Sequence, residues 1–175
     1  MILGVVLAGG QSQRFGSDKA LARFEGQSLL ARAVDQLSAW CDLVVVAGRE
    51  EAPAETLPDW PRSGMGPLGG LAAGLRYAAD AGYETVLSIP VDSPLLPEDL
   101  PALLSPASAY LADQPVIGHW RADAAVAAED ILRGDGRHSM RALADAIGAR
   151  AVTLAAQLPN VNTPVDLSSL PSRSD

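Results

Sequence analysis

Residues 2–8 limit the fold of this chain more than any other segment. They carry no charge and no alternation of polar and apolar positions, and they run directly into Gly9-Gly10. A strand of that composition is buried on both faces, as in the middle of a parallel sheet covered by helices. Two more such runs follow, Leu43–Ala47 and residues 85–89. Between them lie helical stretches at 28–39, with Leu29, Leu30, Ala33, Val34 and Leu37 on one face, and at 68–81, opened by Gly66-Pro67. The alternation predicts an α/β layered fold with a mostly parallel sheet flanked by helices.

Further along, a short helix is expected at 97–104, a strand at 107–111, a helix at 139–147 and a strand at 151–154. Thr163 caps a last short helix that begins with Pro164. Residues 50–66, rich in proline and acid, read as loop, and periodicity assigns no element between Leu111 and Ser139. With 175 residues, no internal repeat and no linker, one domain spanning 1–175 is expected, its last few residues frayed.

Composition narrows the partners. Twenty-one acidic against 13 basic side chains leave a net charge of −8, which argues against nucleic acid or an anionic membrane as partner. The single cysteine, Cys41, excludes an internal disulfide and suits a reducing cytosol. The opening apolar run is short and lacks a basic leader, and no window is long enough to span a membrane. The expected location is the cytoplasm.

Four constellations carry chemistry. After Gly9-Gly10 come Arg14, Gly16, Asp18 and Lys19. Free backbone N–H groups backed by two cations are suited to phosphate. The spacing is neither that of a P-loop, which needs Lys directly after Gly, nor G-x-G-x-x-G. A plain glycine turn with surface cations is the bland alternative. The second constellation is Val91-Asp92-Ser93-Pro94, just past a buried strand. Its carboxylate is placed either to hold Mg²⁺ or to cap the turn before Pro97. The third is Gly64 to Gly74, glycine-rich around a helix start, with Asp59 seven residues before Gly66. Such a stretch admits a flat or anionic group, and a carboxylate there accepts paired N–H donors such as the guanine edge. Small-residue packing explains Gly70 and Gly74 equally. The fourth is Asn160-Val-Asn162-Thr163-Pro164, which reads either as a ligand-facing loop or as simple helix capping.

His119, His138 and Cys41 form no metal or nucleophile pattern. An ionised phosphate acting as nucleophile needs no such group, since positioning and charge stabilisation suffice.

Taken in order, Leu7-Ala-Gly-Gly10, Arg14, Gly16, Asp18-Lys19, Asp59, Gly66-Pro-Leu-Gly-Gly70, Val91-Asp-Ser-Pro94 and Asn160-Val-Asn-Thr-Pro164 resemble the molybdenum cofactor guanylyltransferase (MobA-like nucleotidyltransferase) family across nearly the whole chain. The resemblance implies a Rossmann-like three-layer nucleotidyltransferase fold. It implies transfer of GMP from Mg²⁺–GTP to molybdopterin, with transient contacts to proteins that supply or accept molybdopterin. Carried over, Arg14, Lys19 and Asp92 are catalytic, and Asp92 is the Mg²⁺ ligand. Nucleotide contacts fall on Leu7, Ala8, Gly9, Gly10, Lys19, Asp59, Gly66, Pro67, Leu68, Asp92 and Asn162.

Two positions depart from the family pattern. Ala47-Gly48 stands where Asn is common, and Gln114-Pro115 stands where a His-Pro step occurs. Arg137, His138 and Arg141 are candidate cations for the pterin phosphate, or else solvated surface. Alternatives to the guanylyl reading are the cytidylyltransferase branch, which favours Ala-Ala-Gly at the opening, other small-molecule nucleotidyltransferases, and a non-catalytic nucleotide-binding module.

Overall fold

The computed structural model describes residues 1–10 and 16–172. Along the chain, β1 (Ile2–Leu7) is followed by a 3-10 turn at Lys19–Leu21 and a tight hairpin of β2 (Arg23–Phe24) and β3 (Gln27–Ser28). Then come α1 (Leu29–Ser38), β4 (Leu43–Ala47), β5 (Glu55–Leu57), α2 (Pro67–Ala81) and β6 (Thr85–Pro90). The C-terminal part holds α3 (Leu100–Leu103), β7 (Ala109–Leu111), β8 (Gln114–Arg121), α4 (Ala125–Arg133), α5 (Met140–Ile147), β9 (Arg150–Val152) and α6 (Pro164–Ser168).

Seven strands form one sheet in the order β5-β4-β1-β6-β8-β7-β9. All neighbours pair parallel except β8, which runs antiparallel to both β6 and β7. Alternate residues of β1 explain the layers. Leu3, Val5 and Leu7 pack beneath α2, α4 and α5, whereas Val6 faces α1 and α3 with Val44, Val46 and Leu87. The α2 helix lies close on the sheet because Gly74 has no side chain; a Cβ there would meet Val5 at 2.5 Å. The predicted three-layer α/β architecture is the one observed.

The helix boundaries follow local chemistry. Ser28 accepts from Ala31 N at 3.0 Å and Ser139 from Ala142 N at 3.1 Å, so each is the cap that starts its helix. Gly82 and Gly148 end α2 and α5 in the left-handed conformation.

Some expectations need correction. Residues 50–66 are not wholly loop, because β5 pairs parallel with β4 at the sheet edge. An edge strand pairs through its backbone on one side only and needs no long apolar run. The helix expected at 97–104 is regular only over Leu100–Leu103, since Pro101 supplies no N–H. The strand expected at 107–111 is shorter, at Ala109–Leu111. The unassigned stretch contains β8 and α4.

Candidate active site

The strand order reverses direction around β1. The chain leaves it for β4 and β5 on one side, then returns to β6 on the other. A crevice opens at such a point, beyond the carboxyl ends of the strands. A cleft of about 430 Å³ occupies that place, floored by Leu7 of β1, Ala47 of β4 and Pro90 of β6. Its volume suits a small organic ligand.

One wall is the glycine turn and the start of α2. Gly9, Gly10, Gly64, Gly66, Pro67 and Gly70 line it together with Asp59. Close approach is required here: a Cβ on Gly48 would stand 2.6 Å from Gly9 Cα, and Gly48 has a positive φ of 87°. Glycine after Ala47 therefore lets the two loops touch. The Asp59 carboxylate is wedged where a Cβ on Gly70 would lie 3.4 Å from its Oδ1. Among the described residues no group donates a hydrogen bond to it, and burial raises its pKa above the ordinary carboxylate value.

The rest of the lining carries charge. Lys19 Nζ lies 3.5 Å from Asp92 Oδ2, and both side chains remain partly exposed to the cleft. Lys19 opens a 3-10 turn whose N-cap is Asp18; the Asp18 carboxylate accepts from Ala20 N at 3.2 Å. Asp18 is in turn gripped by Arg49, whose Nη1 and Nη2 approach it at 2.9 and 2.8 Å. That fork holds the Asp18 carboxyl below its usual pKa. Arg49 was invisible to sequence reasoning, because 31 residues separate the partners.

Asp92 also anchors the last motif. Val161 N donates to the Asp92 carbonyl at 2.8 Å, and buried Ser93 Oγ sits 2.9 Å from both Gln114 Oε1 and Asn160 Oδ1. One hydroxyl proton serves one of these amides, so the other presents its NH₂ to Ser93. Gln114 thus takes up a structural hydrogen bond at the position where the family has His. Both amides border a smaller cavity of about 170 Å³ between Leu111, Val152 and Leu158.

Several expected residues are brought together in the cleft: Leu7, Gly9, Gly10, Lys19, Asp59, Gly66, Pro67 and Asp92. Arg14 lies outside the described residues. Three others fall elsewhere. Ala8 lines a shallow hollow with Asp18 and Arg49, and its N–H is taken by Ala47 O at 3.0 Å. The Leu68 side chain is fully buried with Leu71 and Leu75. Asn162 is exposed and its N–H donates to Asp166 Oδ2. Thr163 and Asp166 form a reciprocal capping box, so capping accounts for this part of the Asn-Val-Asn-Thr-Pro motif. His138 contacts Gly134 O and Arg141 Nη2 donates to Ala112 O, leaving neither in the cleft.

The donor set bears on a metal. No group of three or more His, Cys, Asp or Glu side chains exists among the described residues. Asp92 is one carboxylate on an open wall, which fits Mg²⁺ completed by phosphate oxygens and water and does not fit an all-protein cage.

A nucleotide-sized cleft at the strand carboxyl ends, lined by both a glycine-flanked carboxylate and a lysine–aspartate pair, defines a nucleotidyltransferase-type site on a Rossmann-like sheet. The comparisons with known proteins agree. The MobA-like NTP transferase domain matches residues 4–161, and the chain belongs to that family. It is 38% identical to the molybdenum cofactor guanylyltransferase of Acidiphilium cryptum, covering 94% of this chain and 91% of that protein. It is 33% identical to the one from Rhodobacter capsulatus, over 98% and 96% of the two chains. Its fold resembles molybdopterin-guanine dinucleotide biosynthesis protein A from Archaeoglobus fulgidus, with a TM-score of 0.71, 20% identity and 95% of each chain covered. No described helix is long and apolar enough to cross a membrane.

Proposed function

We propose that this protein transfers GMP from GTP to molybdopterin, releasing pyrophosphate and forming the guanine dinucleotide. The observation that carries the reading is the pairing, in one cleft, of a carboxylate set among glycines with a Lys19–Asp92 charge pair. The names of the curated relatives support the choice of GTP and molybdopterin.

In this reading the Asp59 carboxylate accepts the N1–H and 2-amino hydrogens of guanine, and the glycine turn lets the ring and ribose lie against backbone. Lys19 offsets the charge of the triphosphate, with Arg14 beside it. An oxygen of the ionised molybdopterin phosphate attacks the α-phosphorus in line. The bond to the bridging α–β oxygen breaks, and its electron pair leaves with pyrophosphate. The attacking oxygen carries no proton, so no general base is required. That agrees with a cleft lined by neither His nor Cys among the described residues. Asp92 would hold a divalent metal, for which Mg²⁺ is the proposed ion; when bound, it supplies neutralising charge to the phosphates. The cytoplasm, where GTP is abundant, is the proposed location.

The test is pyrophosphate release with molybdopterin as acceptor, from GTP and CTP in parallel. Release from GTP alone is expected; release from CTP alone would assign the chain to cytidylyl transfer.

A further inference from the structure

Asp59 poses a problem of orientation. Its carboxylate has no hydrogen-bond donor among the described residues, yet reading a guanine edge demands a fixed direction. Its neighbour in the chain is firmly held. Trp60 N–H donates to Gly69 O at 3.0 Å, tying the segment to the first turn of α2. The fit there is tight, since a Cβ on Gly69 would stand 3.3 Å from Trp60 O and 3.4 Å from Asp59 Cβ.

The indole is held from outside the cleft. Arg76 Cζ of α2 lies 5.2 Å from the Trp60 ring centroid, and Arg133 Cζ of α4 lies 4.9 Å from it. Both are within cation–π range. Glu129, mostly buried, binds both guanidinium groups: Arg76 through Nη1, and Arg133 through Nη2 at 3.4 Å. Two helices and one carboxylate therefore converge on the tryptophan that directly follows Asp59. None of Trp60, Arg76, Glu129 or Arg133 lines the cleft itself.

We propose that Trp60, clamped by Arg76, Arg133 and Glu129, is a positioning residue that aims the Asp59 carboxylate. Selectivity for a purine bearing a 2-amino group is then set partly from the outer face of α2 and α4. The inference rests on the guanylyl reading. It predicts that loosening the clamp weakens base discrimination without slowing the chemical step, because Lys19 and Asp92 sit on the other wall.

The experiment compares GTP with ITP, which lacks the 2-amino group, by pyrophosphate release with molybdopterin as acceptor. The wild type should prefer GTP in kcat/KM, because a site built to hydrogen-bond a group rejects the analogue without it. Trp60→Ala should lower that preference about 10-fold, through a raised KM for GTP with kcat little changed. Trp60→Phe, which keeps an aromatic face for the guanidinium groups, should restore most of it. Arg133→Ala, at a largely exposed side chain, should lower the preference about threefold and serves if Trp60→Ala does not fold. Unchanged preference in Trp60→Ala, or in Arg133→Ala where the former is unfolded, overturns the proposal. So does an equal fall in kcat for both nucleotides. A wild type indifferent to the 2-amino group overturns the guanine reading and the proposal together, which separates the two failures.

Discussion

The two carboxylates of the cleft differ in every physical respect that matters to a ligand. Among the described residues Asp59 sits beside glycines with no cation or donor on its carboxylate, and burial raises its pKa. Asp92 stands 3.5 Å from Lys19 on the more polar wall, its backbone carbonyl tied to Val161. A lone, desolvated acceptor has most to gain from neutral N–H donors presented in pairs. A carboxylate beside a lysine on an open edge suits a strongly charged ligand and its counter-ion. In the proposed reading the difference divides base recognition, at Asp59, from charge management, at Lys19 and Asp92.

The division can be broken from either side, and the polar wall should give the larger effect. Asp92→Ala is expected to lower turnover about 1,000-fold while the melting temperature stays within about 2 °C, read by pyrophosphate release and thermal denaturation. Near-normal turnover would remove the metal assignment. Lys19→Ala should cost about 100-fold in kcat/KM, with Lys19→Arg recovering only part of it, because a point charge and a planar fork address phosphate differently.

On the other wall the effect is smaller and of another kind. Asp59→Asn should reduce GTP preference over ITP about 10-fold or more and leave metal dependence intact. It should also raise the melting temperature slightly at neutral pH. The sign follows from linkage: a carboxyl whose folded pKa is raised favours folding when protonated, and that contribution is lost as pH rises through the folded value. Base preference in the native protein should accordingly fall as pH is lowered toward that raised value.

The smallest effect belongs to Arg49. Arg49→Ala should cost about 0.5 kcal/mol, as exposed pairs do, and modestly raise KM for GTP by releasing the turn that carries Lys19. The Asp18 carboxyl has a lowered folded pKa. Its contribution is therefore present above the ordinary carboxylate value and disappears as pH falls through the lowered one. Acid titration of the melting temperature, native against Arg49→Ala, reads this directly.

What could be read from the chain alone follows the same physics. β1, β4 and β6 were legible because strands buried on both faces are mostly apolar, with Ser88 of β6 the buried polar exception. β8 was not. It places buried His119 against Thr85 Oγ1 at 2.8 Å, and Gly118 leaves room for the Trp120 ring, so its sense depends on partners in other strands. α4 buries mostly alanines against α2, a weak periodic signal. In the site, Asp92 was legible because it follows a readable strand, and Lys19 and Asp59 because they lie near glycine-rich motifs in the chain. Leu68 and Asn162 belong to the same motifs but point into the core and into solvent. Neighbours in a motif need not face the same way. The Arg49 and Trp60 contacts lie across the fold and leave no local trace.

The division of labour is tested most directly by calorimetric binding of GTP and ITP, with and without Mg²⁺, to Asp59→Asn and Asp92→Asn. The account predicts that Asp92→Asn loses the Mg²⁺ dependence of GTP affinity and keeps the preference for GTP over ITP. Asp59→Asn should do the reverse. Loss of both properties in each variant would contradict it.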